Sequence, residues 1–200
     1  MTTPSMRVAA VVLAAGSSSR MGALNKLLAP INGTILVRHV IEQVRQSQAD
    51  PVIVVTGYQA GQVQDALDGC AVSFAQNDDF ADGLSTSLRR GLEALPNSVS
   101  GALICLGDMP SLRTGHIDAL IAAFQNHQGK KICIPVFKGQ QGNPMLWPQS
   151  FFSGMQALRG DAGAKKLIAE NRDHVMEVAM TDAGVTQDID TPEQLEKFQK

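Results

Sequence analysis

The chain has 200 residues, of which 44% are hydrophobic and 18% charged, with a formal net charge of −2. This is the size and make-up of one globular domain with a substantial core, and a single domain over residues 1–200 is expected. The charge balance excludes a general affinity for nucleic acid, and one Trp with one Tyr gives no platform for stacking single strands, so any anion site must be local.

Cys70, Cys105 and Cys133 are an odd set without CxxC or Cys/His spacing. That argues against a structural zinc and for reduced thiols in a cytoplasmic protein. No apolar run approaches the roughly 20 residues of a membrane span. Arg7 followed by the apolar run 8–15 resembles a minimal signal peptide, but its shortness and its valines (Val8, Val11, Val12) favour a strand.

In chain order, a strand over 8–13 runs into a Gly- and Ser-rich loop, the whole of residues 11–26 reading VVLAAGSSSRMGALNK. The pattern predicts a helix over 34–47 with Thr34 as N-cap, a strand over 52–56 and a short helix over 60–67. A strand over 72–75 precedes a helix over 83–95, which Pro96 stops. A strand over 102–106 and a helix over 114–127 follow, then strands over 132–135 and 145–147. Between those last two, residues 138–144 (KGQQGNP) form a polar loop, open to reading as a substrate-facing flap or as a plain hairpin turn. Helices over 162–170, after Asp161, and over 191–198 close the chain. The last opens on Thr191-Pro192-Glu193-Gln194, an N-cap with a capping box. This alternation predicts an α/β fold with a mostly parallel central sheet and helices on both faces. Ligands then bind at the carboxyl ends of the strands, where the Gly16 loop begins.

Small side chains in that loop let backbone N–H groups approach phosphate oxygens, and Arg20 and Lys26 supply charge. It is neither a Walker A motif, since Gly16 and Gly22 enclose five residues instead of four and no Lys-Ser or Lys-Thr follows, nor a GxGxxG fingerprint. Gly107-Asp108-Met109-Pro110 places a carboxylate at the end of a buried strand, where it can serve a hard cation such as magnesium or cap a turn. In Asp188-Ile189-Asp190 alternation points both carboxylates one way and Ile189 into the core; a helix start explains the same letters. Residues 76–88 (QNDDFADGLSTSL) carry amides and hydroxyls ahead of a helix, suited to a base and ribose or to capping. LRGDAGAK at 158–165 offers backbone donors and Lys165 as a further anion site, or a cap. His39, His116, His127 and His174 lie mostly on predicted helical surfaces, and none has nucleophile–base spacing.

Taken together, these motifs resemble the molybdenum-cofactor cytidylyltransferases, within the MobA-like NTP transferase superfamily. LAAGSSSRMG…K at 13–26 is similar to the nucleotidyltransferase signature loop and GDMP at 107–110 to that family's form. NDDFADGLSTSL (77–88), GNP (142–144), GDAGA (160–164) and DIDTPE (188–193) follow in family order. The resemblance implies a Rossmann-like nucleotidyltransferase fold and transfer of CMP from CTP to molybdopterin, with Mg2+ as cofactor. It implies that Leu13, Ala14, Ala15 and Gly16 line base and triphosphate and that Arg20 and Lys26 hold phosphates. Asn77, Gly83, Ser85 and Ser87 would lie near base and ribose, Asp108 and Asp190 would bind the metal, and Asn143 and Asp161 would face the pterin. Arg20, Lys26 and Asp108 are the implied catalytic residues. A molybdoenzyme or its chaperone is the implied recipient. Lys165 stands where the family often has Arg, giving a point charge in place of a bidentate fork. LAAG, where GTP-using relatives usually have LAGG, favours CTP, with the Ala15 methyl narrowing the pocket against a purine. The other readings are a nucleotidyltransferase with another donor or acceptor, and a non-catalytic nucleotide-binding protein.

Overall fold

The computed structural model describes residues 6–18, 21, 24–160 and 163–199. The strands are β1 (Val8–Ala14), β2 (Pro30–Ile31), β3 (Thr34–Ile35), β4 (Val52–Thr56), β5 (Ser73–Gln76), β6 (Gly101–Leu106), β7 (Ile132–Phe137), β8 (Gln140–Gln141), β9 (Met145–Pro148) and β10 (Val175–Ala179). The α-helices are α1 (Leu36–Arg45), α2 (Ala60–Ala66), α3 (Leu84–Glu93), α4 (Thr114–Asn126), α5 (Phe152–Gln156), α6 (Gly163–Glu170) and α7 (Pro192–Glu196).

One sheet runs in the order β10-β7-β9-β6-β1-β4-β5, with β8 paired to β7. The pairs β6–β1, β1–β4, β4–β5 and β10–β7 are parallel; β9 is antiparallel to both of its neighbours. The architecture is the expected α/β one. β1 is buried along its whole length because both faces are covered. Val8, Ala10, Val12 and Ala14 pack with α1 and α4, including Val37, Ile41, Ile117 and Ile121. Val11, Leu13 and Ala15 point to the other face, toward Val55 and Phe80. There α3 lies so close to β1 that a Cβ on Gly91 would strike Val11 Cγ1. Gly91→Ala is therefore expected to cost about 1–2 kcal/mol despite its better helix propensity, and a thermal melt would show the loss.

Thr34 is not a helix cap. Asn32 and Gly33, with φ of 44° and 81°, make a two-residue turn joining β2 to β3, and Thr34 lies in the second strand. Helix α1 starts two residues later, after Ile35, without a side-chain cap. The loop at 138–144 begins as a hairpin: Lys138 and Gly139, with φ of 49° and 82°, link β7 to β8. Strand β10 carries no alternation strong enough to be read from sequence and forms the sheet edge beside β7. His116 is buried and not on a helix surface; its Nε2 lies 3.2 Å from Asp182 Oδ1, and its Nδ1 accepts from Arg113 N. Cys105 and Cys133 are buried, which pushes both thiols up, that of Cys133 to about 11. Among the described residues, no helix is long and apolar enough to cross a membrane.

Candidate functional site

β1 and β6 are adjacent and parallel, so the loops at their carboxyl ends leave the sheet side by side. Gly107 N donates to Leu13 O at 3.0 Å, tying the start of the Asp108 turn to β1. A third segment joins from the far end of the chain. Ile189 N donates to Asp108 O at 3.0 Å, and the Ile189 side chain is fully buried. The capping box of α7 holds this segment in place: Gln194 Oε1 accepts from Asp190 N at 2.7 Å and from Thr191 N at 2.9 Å.

This arrangement brings Asp108, Asp188 and Asp190 together, one ligand atom from each lying within 4.8 Å of the others. Asp188 is the residue that sequence reasoning noted for its direction and then left out of the metal set; its alternation with Asp190 was the available signal. Asp108 Oδ1 is buried and has no hydrogen-bond partner among the described residues. Three carboxylates with an orphaned buried oxygen are a hard-oxygen donor set that fits a divalent cation such as Mg2+ or Mn2+.

Lys26 lies on a 3-10 turn (Lys26–Leu28) capped by Asn25 Oδ1, and its backbone N–H donates to Ser18 Oγ at 3.2 Å. Its ammonium stands 2.6 Å from Asp108 Oδ2, 2.9 Å from Asp190 Oδ1 and 2.6 Å from the Ile189 carbonyl oxygen. Burial alone would lower the Lys26 pKa, but Asp108 and Asp190 outweigh it and raise it above the ordinary value. On the alkaline side the pairing is lost as pH rises through that raised value; on the acid side it is lost as the carboxylates take up protons. Burial raises the Asp108 carboxyl, Lys26 pulls it down, and the charge of Asp188 adds to the rise.

The cluster opens on a cavity of about 310 Å³ lined by Leu13, Ala15, Gly16, Ser17, Ser18, Met21, Lys26, Leu27, Phe80, Gly83, Leu84, Ser87, Leu106, Asp108 and Asp190. Ala15 and Phe80 crowd one wall: a Cβ on Gly57 would meet the Cβ of each at 2.8 Å. In the sequence, Phe80 stands out only as part of the 77–88 motif. Ala14 faces the opposite side of β1 and does not line the cavity. Neither does Asn77. Its Nδ2 donates to Thr86 Oγ1 and Ser87 Oγ, both at 2.9 Å, and its Oδ1 accepts from Asp79 N, which pins the first turn of α3. Ser85 and Asn143 line an adjoining apolar cavity of about 90 Å³ with Met145, Trp147 and Met155; it shares Leu13, Leu84 and Leu106 with the first. Lys165 lies away from both, on a groove of about 850 Å³ with Arg172 and Glu177 that Asn143 also borders. Arg20 and Asp161 lie outside the described residues.

Comparison with known proteins gives the family and the fold. Residues 10–175 match the model of the MobA-like NTP transferase domain. The bifunctional protein GlmU of Kineococcus radiotolerans is 36% identical over 126 residues, which is 61% of this chain and 26% of that protein. The chain thus spans about a quarter of the length of that relative. Among solved structures, an Rv0371c homologue from Mycobacterium sp. strain JC1 superposes with a TM-score of 0.84 at 29% identity, covering 96% of this chain and 94% of that one. Rv0371C of Mycobacterium tuberculosis H37Rv in complex with manganese gives a TM-score of 0.81, covering 97% and 98% of the two chains; at 24% identity this is a likeness of fold.

Proposed function

Because the chain belongs to the MobA-like NTP transferase family, we propose that it is a single-domain nucleotidyltransferase that moves CMP from CTP to molybdopterin, releasing pyrophosphate. The observation that carries the reading is the cluster of Asp108, Asp188, Asp190 and Lys26, of which Lys26, Asp108 and Asp190 line the cavity together with Gly16. A carboxylate triad next to a lysine and a glycine turn is a site for polyphosphate with a divalent cation. The manganese complex of a protein of the same fold supports a divalent cation here, and Mg2+ is the proposed one.

In this reading Asp108, Asp188 and Asp190 hold the cation, which when bound offsets the charge of the reacting phosphates. Leu13, Ala15 and Gly16 border the nucleotide, and the backbone of the Gly16 loop donates to phosphate oxygens. Gly83 and Ser87, at the start of α3, lie toward base and ribose together with Phe80. Lys26 and Arg20 stabilise the leaving pyrophosphate. A phosphate oxygen of the acceptor forms a bond to the α-phosphorus as the bond to the bridging oxygen breaks. That oxygen is already an anion, so no general base is needed. Asn143 and Ser85 are the polar side chains offered to the acceptor in the adjoining cavity, with Asp161 proposed beside them from sequence alone. The cytosine dinucleotide would pass on to a molybdoenzyme or its chaperone.

The test is pyrophosphate release with CTP or GTP against molybdopterin and a sugar phosphate. Release with CTP and molybdopterin is expected; release only with GTP or only with the sugar phosphate would replace the donor or the acceptor. Nucleotide binding without release from any pair would make the chain a binding protein. Base choice has its own expected result. Ala15→Gly removes the methyl packed against Gly57 and Phe80 and should raise the GTP-to-CTP ratio of kcat/KM by about 10- to 100-fold, the worth of one methyl group.

A further inference from the structure

Two roles meet on Lys26, and the geometry does not allow both at once. An ammonium has three N–H donors. Those of Lys26 face Asp108 Oδ2, Asp190 Oδ1 and the Ile189 carbonyl oxygen at 2.6, 2.9 and 2.6 Å, which leaves none for a phosphate. Two of the three partners belong to the carboxylate triad. A doubly charged cation held by the same oxygens would stand against the ammonium in a largely buried space, where like charges repel strongly.

The carboxylates are the fixed side of this contact. Asp108 and the Ile189–Asp190 segment are joined through the main chain, and Gln194 clamps Asp190 N and Thr191 N. Lys26 is held at its backbone by Ser18 and at its ammonium by the three contacts just given; its unbranched four-carbon stem has rotatable bonds, and it already lines the cavity.

We propose that Lys26 is an exchangeable internal cation: it bridges Asp108 and Asp190 in the metal-free protein, gives them up when a divalent cation is bound, and turns its ammonium into the cavity to hold polyphosphate. The bridge keeps three acidic groups from facing one another unneutralised before substrate arrives. It also couples the two ligands. Cation and polyphosphate each favour the same turned-out Lys26, so each tightens the other by the same factor. The proposal rests on the polyphosphate part of the functional reading and is independent of base and acceptor.

The experiment uses the full chain, Mn2+ and tripolyphosphate. Limiting acetic anhydride labels exposed amines, and mass spectrometry reads labelling at Lys26, while electron paramagnetic resonance on the same samples reads bound Mn2+. Lys26 should be protected in chelator, label several-fold faster with Mn2+ alone, and be protected again when tripolyphosphate is added. Bound Mn2+ with unchanged Lys26 labelling would overturn the exchange and leave the metal site and nucleotidyl transfer standing. A second arm uses Lys26→Met. It should bind Mn2+ more tightly than the parent without anion, and tripolyphosphate should enhance Mn2+ binding less in the variant than in the parent. Equal enhancement in the two proteins would overturn the exchange. Absence of Mn2+ binding in both would overturn the metal site and the exchange together.

Discussion

Asp108→Asn is expected to lower turnover roughly 100- to 1,000-fold while leaving the fold intact, the range seen when one preorganised electrostatic group is removed from a reaction centre. The amide keeps the shape and loses the negative charge that a divalent cation needs. Stability should move little, and the sign can be worked out. Burial and Asp188 hold the Asp108 carboxyl above its ordinary range, so at neutral pH its ionisation favours the unfolded chain. Asparagine removes that cost, and the loss of a charge partner for Lys26 offsets the gain. Pyrophosphate release and a thermal melt measured together decide the matter. Near-full activity would remove Asp108 from the site. A melting temperature lowered by more than about 10 °C would assign Asp108 to folding instead.

Gly142→Ala is expected to damage both stability and activity, although Gly142 does not line the cavity beside Gly16. Gly142 N donates to Pro135 O at 2.9 Å and Asn143 N to Val185 O at 2.8 Å, so two chain segments meet there backbone to backbone. A Cβ on Gly142 would collide with the Val185 carbonyl. Neither side is a flexible side-chain end, so the main chain must shift, at about 3 kcal/mol and a fall in melting temperature of roughly 6–12 °C. The displaced segment, a 3-10 turn (Ala183–Thr186), leads directly into Asp188 and Asp190. A misplacement of about 1 Å there would cost up to about 100-fold in turnover. An unchanged melting temperature would show that the 183–186 segment yields freely. Unchanged turnover in a destabilised protein would uncouple it from the carboxylates.

Parts of this site were legible without a structure. A run of β-branched residues ending in Gly16, and another ending in Gly107-Asp108, mark strands that open at the ligand edge of a parallel sheet. The Asp188-Ile189-Asp190 alternation predicted a buried isoleucine between two carboxylates facing one way, and Ile189 is buried. Thr191 to Gln194 was readable as a helix start because a capping box is local chemistry. What escaped was long-range. Nothing near Lys26 in the chain says that Asp190, 164 residues later, will take its ammonium. Asn77 sits in a motif suited to a base, yet its amide is consumed in holding Thr86, Ser87 and Asp79. Gly142 was legible as the first residue of the GNP motif, but not as the point where the Val185 carbonyl packs against the chain.

The division has a physical cause. Hydrophobic periodicity, turn residues and caps act over a few neighbours, so the sequence by itself determined the order of the main strands and helices, though not β2, β3, β8, β10 or α5, and the sheet edge where Lys26 and the carboxylates gather. The face of β1 that Ala14 serves, opposite to the cavity, did not follow from that order. Hydrogen bonds and ion pairs depend instead on distances of a few ångströms between segments far apart in the chain. Only the tertiary structure could decide that Lys26 bridges the carboxylates, that Asp188 completes the triad and that Phe80 closes the wall beside Ala15.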